Sequence, residues 1–241
     1  MDAWAHWTGV VAADVCAGWL NLIEGRYAAA DRFARDDKDF SAHSSSMRLF
    51  SVPGIDVEGV GRAMSGSEIF ASFAHSLGGP VVCDVDQCWV RRQYAHGNYP
   101  PLHAPHSWHQ DGALHFDFRA YSGRQLPPGA VLDMITCWIP LTPCGFDAPG
   151  LELIAQGTEG LLTPGQLKDM HVRELFAAEE FHRPAMQPGD ALLFGGGVLH
   201  RTHVTPQMTR DRTSIELRLF AADRIPERLH GDRFVTLDVP Q

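Results

Sequence analysis

Residues 189–202 have the sequence GDALLFGGGVLHRT, in which a Gly-Asp turn is followed by a short apolar run, three glycines and His200. A short apolar run bounded by turn residues is typical of a buried strand. Earlier in the chain, residues 108–112 have the sequence WHQDG, which sets His109 and Asp111 two positions apart. Because side chains two apart on a strand lie on the same face, His109 and Asp111 can reach one ion from inside a barrel. His200, on a different strand, would complete a set of three ligands.

Two imidazoles and one carboxylate form a donor set that suits iron. Held on three adjacent corners of an octahedron, Fe(II) keeps its other corners open to substrate chemistry. The pattern H-x-D is weak by itself, since His115 and Asp117 repeat it and the chain contains 13 histidines. Most histidines are expected to be ordinary core or surface residues, including His103, His106 and His203. His203 is also the alternative to His200.

The part of the chain after Pro80 predicts a mainly β fold. Its short segments of alternating or continuous apolar character, separated by Pro and Gly clusters, are typical of a sandwich or jelly roll. These segments are VVCDVDQCWVRRQY, HQDGALHFDF, AVLDMITCWIPLT, GLELIAQG, DALLFGGGVLHRT and RTSIELRLFAAD. Apolar spacing and end signals predict helices over residues 12–35, 65–78 and 162–181. We expect a single domain over residues 1–241, with a helical part over about 1–79 and a barrel core over about 80–222.

The composition favours a small-molecule partner. A formal net charge of −9, from 20 basic and 29 acidic residues, argues against a general nucleic-acid surface and against attraction to an anionic membrane. No apolar run approaches the roughly 20 residues that cross a bilayer, and no basic segment precedes an apolar one near residue 1. We therefore expect a soluble, cytoplasmic protein. Its five cysteines, without a C-x-x-C pair, are expected to be buried reduced thiols. Nothing in the sequence indicates an oligomeric state.

Arg212 and Ser214 lie two positions apart in the last predicted strand, so they share a face beside the strand of His200. A planar guanidinium can hold a carboxylate with two hydrogen bonds, and a hydroxyl can add a third. The pair is therefore a candidate clamp for a dicarboxylate such as 2-oxoglutarate. An ion pair between Arg212 and Glu216 would instead leave only a metal site. The alternative arginines for this role are Arg201, Arg210 and Arg218.

Four blocks of the sequence resemble the phytanoyl-CoA dioxygenase-like branch of the iron- and 2-oxoglutarate-dependent oxygenases. They are WHQDG at 108–112, CWIPLTPCGFDAPGLELI at 137–154, GDALLFGGGVLHRT at 189–202 and RTSIELR at 212–218. The flanking Trp108 and Gly112 favour the first H-x-D copy over the second. The resemblance implies a double-stranded β-helix, or jelly roll, with flanking N-terminal and inserted helices. In that fold Fe(II) would be held by His109, Asp111 and His200. The co-substrate 2-oxoglutarate would be held by Arg212 with Ser214, and also touched by Gln87.

The resemblance also implies a dioxygenase reaction. With O2 as the second co-substrate, 2-oxoglutarate would yield succinate and CO2 while a C–H bond of a small biosynthetic metabolite is hydroxylated. Because Asp111 fills the coordination position that a halide would need, halogenation is disfavoured, while desaturation, epoxidation and cyclisation stay open. Thr136 is another position that would line the pocket. The candidate substrate-lining residues are Arg91, Tyr94, Leu114, Phe116, Trp138 and Phe146.

Two other functions stay open at this point. A cupin-like metalloenzyme would use the same three ligands to hold a different divalent ion as a Lewis acid, without 2-oxoglutarate. A barrel that lacks catalysis would serve as a binding module, which the intact set of ligands and Arg212 disfavour. Metal binding without succinate formation would identify the first function, and failure to bind iron would identify the second.

Overall fold

Two antiparallel sheets form the framework of the protein. The computed structural model describes residues 4–36, 46–65, 67–68, 70–72, 79–97, 104–121, 125–158 and 160–237. The α-helices are α1 Ala13–Asp36, α2 Val57–Ser65 and α3 Asp169–Leu175. The strands are β1 Trp4–Trp7, β2 Ser46–Arg48, β3 Val81–Asp84, β4 Trp89–Gln93, β5 Ile135–Pro140, β6 Gly150–Ile154, β7 Phe181–His182, β8 Ala191–Gly195, β9 His200–His203, β10 Arg212–Ala221 and β11 Phe234–Thr236.

The larger sheet is built around β10. Its strands follow the order β1-β8-β5-β10-β3-β11, and β4 pairs with both β10 and β2. With 10 residues, β10 is long enough to pair with β5 along one edge and with β4 and then β3 along the other. The smaller sheet has the order β7-β6-β9. This mainly antiparallel architecture confirms the predicted mainly β, jelly-roll class.

Alternate residues of the larger sheet face two different environments. Ile139 of β5 and Ile215 of β10 belong to an apolar core that includes Ile23 of α1 and Val60 of α2. Trp138, the neighbour of Ile139, instead packs in a second core. That core joins side chains of the two sheets: Trp138, Leu192 and Phe194 from the larger one, and Leu151 and Leu153 from the smaller.

The inner face of β10 is polar although it is buried. Arg212, Ser214 and Arg218 have exposed fractions of 2%, 0% and 6%, and only 12% of the Glu216 side chain is exposed. Buried polar groups lower stability unless they are hydrogen-bonded or paired, so a run of them on one face points to a function. The space between the two sheets at this face is therefore where the site is expected.

Several predicted elements have different ends in the structure. The predicted helix over residues 12–35 is α1, but only α3 is α-helical within 162–181, because Pro164 and Gly165 favour turns before it. Of the predicted helix at 65–78, residues 68 and 70–72 are helical, and 66, 69 and 73–78 lie outside the described residues. β1, which pairs with β8, was not predicted. No described helix combines the length and apolar character needed to cross a lipid bilayer.

Candidate metal centre and its cavity

His109, Asp111 and His200 converge on one point, where their ligand atoms all lie within 4.8 Å of one another. The Nε2 atoms of His109 and His200 lie 3.9 Å and 3.7 Å from the Asp111 carboxylate. His200 belongs to the smaller sheet, whereas Asp111 is hydrogen-bonded to Thr136 of the larger one. The cluster therefore forms where the two sheets meet.

The backbone positions His109 and Asp111 by a bridge and a turn, and the predicted strand over WHQDG is not formed. His109 pairs with His200 through two backbone hydrogen bonds of 3.0 and 3.1 Å, and Asp111 then begins a 3₁₀ turn. The N–H of Gly112 donates to the carbonyl oxygen of Gly196 at 2.8 Å. A Cβ atom at Gly112 would lie 2.7 Å from that same oxygen. Glycine follows Asp111 because the two backbones approach too closely for any side chain.

Both imidazoles are oriented by backbone carbonyls. His109 Nδ1 donates to the carbonyl of Ser107 at 2.7 Å, and His200 Nδ1 donates to that of Val198 at 3.1 Å. With the proton on Nδ1, each Nε2 keeps its lone pair directed at the shared point, as a metal ligand requires. Burial, aided by the nearby His109, lowers the pKa of His200 to about 4. His200 is therefore neutral at pH 7.

Asp111 is held as a carboxylate by its neighbours. Thr136 Oγ1 donates to Oδ2 at 2.6 Å, and Arg218 Nη2 lies 3.2 Å from the same oxygen. Burial alone would raise the pKa of Asp111, but Arg218, the two histidines and the Thr136 hydrogen bond outweigh it and hold that pKa well below its usual range. Asp111 is thus ready to act as an anionic ligand beside the neutral His200.

Arg212 lines the same cavity and is deeply buried. Its Nη1 donates to Ser214 Oγ at 2.6 Å, and its guanidinium lies 4.9 Å from the centre of the Trp138 ring. Burial lowers the pKa of Arg212. Within the described part of the chain, Arg212 Nε and Trp138 Nε1 are buried donors without a hydrogen-bond partner. Such donors carry an energetic penalty unless a ligand supplies acceptors.

A cavity of about 120 Å³ opens beside the three converging residues. Its walls come from both sheets and from the segment that carries His109. Most of its lining side chains are polar or charged. The lining residues are Ser46, Arg91, Arg92, Gln93, Ala104, His106, His109, Asp111, Thr136, Trp138, Leu151, Phe194, His200, Thr202, Arg212 and Glu216.

Comparison with the sequence profiles of known families identifies the family of this chain. The sequence profile of the phytanoyl-CoA dioxygenase (PhyH) family matches residues 5–210. The chain belongs to the phytanoyl-CoA dioxygenase family. Membership confirms the enzyme class and the cofactors expected from the four sequence blocks, those of an iron- and 2-oxoglutarate-dependent oxygenase. The matched region contains His109, Asp111 and His200 and ends just before Arg212. No curated protein sequence matches the chain.

Solved structures share the fold of this phytanoyl-CoA dioxygenase family member at low sequence identity. EctD from S. alaskensis, solved with 2-oxoglutarate and 5-hydroxyectoine, has a TM-score of 0.63 at 16% identity, over 94% of this chain and 74% of that chain. The epimerase SnoN, in complex with Fe3+, alpha ketoglutarate and nogalamycin RO, has a TM-score of 0.53 at 15% identity, over 92% and 80%. The non-heme monooxygenase ThoJ has a TM-score of 0.58 at 13% identity, over 91% and 74%. These likenesses show a common fold.

The other histidines that the sequence offered as metal ligands are not part of the cluster of His109, Asp111 and His200 among the described residues. His115 Nε2 lies 3.1 Å from the Asp232 carboxylate, and Asp117 accepts a hydrogen bond from the backbone N–H of Arg119. The second H-x-D copy therefore does not converge on one point. His203 lies in β9 but is not part of the three-residue cluster, and His103 lies outside the described residues.

The alternative arginines are held by other acids. Arg210 pairs with Asp147 at 3.4 Å with half of its side chain exposed, and Arg201 pairs with Glu152 and Asp169. Arg218 contacts Asp111, and Glu216 pairs with Arg91 and Arg218 in place of Arg212. Among these arginines, Arg212 is the one whose guanidinium and neighbouring hydroxyl both remain available to a ligand.

The predicted substrate-lining residues divide into two groups. Arg91 and Trp138 line the cavity, as does Thr136, whereas the other four are not among its described lining residues. Leu114 packs against the core that contains Leu132 and Phe220, and Phe116 stacks on Tyr121 at 5.2 Å. Phe146 is 86% exposed, and Tyr94 follows β4 with Arg92 5.0 Å from its ring. The sequence could not separate these positions because aromatic residues suit a core and a cavity equally well.

Gln87 also lies away from the cavity. It ends the 3₁₀ turn between β3 and β4, where its Oε1 accepts a hydrogen bond from Arg48 at 3.0 Å and its Nε2 lies 3.4 Å from His115. The described glutamine that lines the cavity is Gln93, at the end of β4. The sequence of residues 81–94 predicted one continuous segment, so the turn that separates β3 from β4 was not predicted.

Glu216 and His106 are cavity residues that the sequence did not assign to the site. Burial would raise the pKa of Glu216, but Arg91 and Arg218 lower it to about 2, so Glu216 is ionised. The available signal was the alternation along β10, where polar residues occupy every second position between apolar ones. His106 had no such signal, because it lies outside regular structure.

Proposed function

We propose that this protein is an Fe(II)- and 2-oxoglutarate-dependent dioxygenase that hydroxylates a C–H bond of a small organic metabolite. The observation that carries the proposal is that one cavity contains the cluster of His109, Asp111 and His200 together with the buried Arg212 and Ser214. The first group has the composition of an iron site and the second that of a carboxylate clamp.

The three ligands fit iron in donor type. Two imidazoles and a carboxylate match the donor set of non-haem iron oxygenases, and Thr136 and Arg218 orient Asp111 through its Oδ2 oxygen. All five cysteines are buried, and none belongs to the cluster, which argues against a thiolate metal site. These residues would hold the metal through His109 Nε2, His200 Nε2 and an Asp111 oxygen.

The environment of Arg212 fits a dicarboxylate. The guanidinium carries an unpartnered Nε, no described carboxylate forms an ion pair with it, and Ser214 Oγ is 2.6 Å from its Nη1. A carboxylate of 2-oxoglutarate would satisfy Nε and replace the water that burial has removed. The nearby Trp138 ring limits the space on one side of the guanidinium.

In this proposal the protein positions reactants and excludes water. When bound, iron and 2-oxoglutarate together activate O2 and supply the oxidant, with succinate and CO2 as products. Arg212 and Ser214 fix one end of the co-substrate, while His109 and His200 keep their Nδ1 protons on backbone carbonyls throughout. As a metal ligand, Asp111 would fill the coordination position that a halide would need, which favours oxygen insertion over halogenation. Buried walls around Asp111 keep competing water away from the reacting C–H bond.

The test measures iron binding and succinate formation together. Protein loaded anaerobically with Fe(II) is expected to convert 2-oxoglutarate to succinate slowly in air, even without the organic substrate. His109→Ala should lose iron binding and succinate formation, whereas the matched control His115→Ala should keep both. Equal activity of the two variants would contradict the ligand assignment. Iron binding by the wild type without any succinate would favour the cupin-like Lewis-acid function.

We also propose that the enzyme works in the cytoplasm on a small-molecule substrate. All five cysteines are free and buried, as expected for a protein in a reducing compartment. Oxidised, disulfide-linked protein isolated from its native cell would contradict this location.

A further inference from the structure

One wall of the cavity carries an arginine that the proposed oxygen chemistry does not use. Arg91 of β4 directs its Nε at both oxygens of Glu216, at 3.1 and 3.2 Å. Its Nη1 contacts Ser46 Oγ at 3.0 Å and His106 Nε2 at 3.3 Å. Within the described part of the chain, Nη2 of Arg91 has no hydrogen-bond partner. The guanidinium is thus fixed on one side and free on the other, in a residue that lines the cavity.

His106 supplies a second free donor beside Arg91. A guanidinium can only donate, so the His106 Nε2 that faces Arg91 must accept, and the imidazole proton lies on Nδ1. His106 is exposed to solvent, and its Nδ1–H has no hydrogen-bond partner among the described residues. The His106 ring lies 5.7 Å from the ring of His109, so this donor is next to the proposed metal site.

Among the described residues, the charges around the cavity leave an excess of one positive charge. Arg92 lines the cavity but is neutralised by a two-point ion pair with Asp31, at 2.8 and 2.9 Å. The remaining described charges are three arginines, Arg91, Arg212 and Arg218, against two carboxylates, Asp111 and Glu216. Fe(II) and 2-oxoglutarate carry equal and opposite charges, so binding both does not change this balance. A buried cation without a counter-ion lowers the stability of the folded protein. The positive excess is local to the cavity, because the whole chain has a net charge of −9.

We infer that the organic substrate carries a single negative charge, such as a carboxylate, which docks on the free donors Arg91 Nη2 and His106 Nδ1. This inference rests on the proposed function, since it concerns the substrate of that same site. Glu216 accepts hydrogen bonds from Arg91 Nε and so fixes the orientation in which the guanidinium meets the anion. The oxidised C–H bond then lies close to the anionic group of the substrate, because His106 adjoins His109.

The experiment uses matched pairs of small molecules, each a monocarboxylic acid and its primary amide. Anaerobic protein loaded with Fe(II) and saturating 2-oxoglutarate is titrated with each probe, and binding is followed by calorimetry. Saturating 2-oxoglutarate keeps the acids from Arg212. At least one acid is expected to bind about tenfold or more tightly than its amide, because a charge-assisted hydrogen bond is roughly twice as strong as a neutral one.

Two variants assign the preference to a residue. Arg91→Gln should remove the preference for the acid, and Arg92→Gln, a matched change in the neighbouring cavity residue, should keep it. Acids that bind no more tightly than amides to the wild type, including no binding by either, would overturn the inference without any variant. A preference that survives in folded Arg91→Gln protein would also overturn it. Failure of the proposed function is recognised separately, by the absence of a visible absorption band when 2-oxoglutarate is added to the iron-loaded protein.

Discussion

Replacing Arg212 by methionine should weaken 2-oxoglutarate binding while leaving the unliganded protein at least as stable. Methionine keeps an apolar stem and removes the guanidinium that lies beside Trp138, in a residue that is only 2% exposed. In the protein without ligands this cation is desolvated, with one hydrogen bond to Ser214 and a buried Nε that has no partner among the described residues. Burial of Arg212 therefore lowers the stability of the unliganded protein, and binding of a carboxylate would offset that loss.

The magnitude follows from the contacts that would be lost. A hydrogen bond to a charged group contributes about 1.5–3 kcal/mol, so the dissociation constant of 2-oxoglutarate should rise roughly 10- to 100-fold. The unfolding temperature without 2-oxoglutarate should stay the same or rise, because an uncompensated buried charge disappears. A purely structural arginine would show the opposite pattern, with lower stability and unchanged affinity.

Anaerobic titration of iron-loaded protein with 2-oxoglutarate, followed by visible absorption, measures the affinity. Arg210→Met is the matched control, since Arg210 is exposed and its surface ion pair with Asp147 contributes little. An unchanged affinity in Arg212→Met, or an equal loss in Arg210→Met, would refute the reasoning. The role of the carboxylate clamp would then pass to Arg218 or Arg91.

Three further changes test other parts of the site. Thr136→Val removes the 2.6 Å hydrogen bond to Asp111 and should weaken metal binding about 10-fold in a metal titration; unchanged affinity would show that Arg218 suffices. Gly112→Ala places a Cβ 2.7 Å from the Gly196 oxygen and should lower stability by about 1–3 kcal/mol in urea unfolding, unlike Gly18→Ala, where the space is open. Burial and the neighbouring Asp232 raise the pKa of Asp84 to about 7, so the folded state binds its proton more tightly and stability falls as pH rises from 3.8 towards 7. Asp84→Asn should therefore gain stability over the wild type across that range, and a pH-independent difference would contradict this.

The convergence of His109, Asp111 and His200 could be predicted because the chemistry of a metal site is carried by residue type. His109, Asp111 and His200 form a rare combination whose spacing already restricts the ion. The local backbone could not be predicted, since the bridge and turn around Asp111 depend on the distant Gly196 carbonyl. Long-range backbone contacts of this kind leave no periodic pattern in the sequence.

The fold class was predictable from alternating apolar positions and the turn residues between them, and α1 from its helical spacing. The polar cavity was not, because Arg91 belongs to β4, Glu216 to β10 and His106 to a segment without regular structure. Which polar residues of separate segments face one another is decided by strand register. The pairing of Ser214 with Arg91, and of Glu216 with Trp89, is a property of the folded sheet.

The alternation along β10 has a consequence for attempts to redesign this enzyme. A shift of β10 by a single residue would turn its inward polar side chains outward and bring residues such as Ile215 and Leu217 inward. Arg212 would then leave the cavity, and Arg218 would lose its contact with Asp111. Mutational libraries aimed at new substrates should therefore leave this strand untouched. Diversity is better introduced at the cavity rim, for example at Ser46, Ala104 and Thr202, where a changed side chain does not disturb any pairing along the central strand.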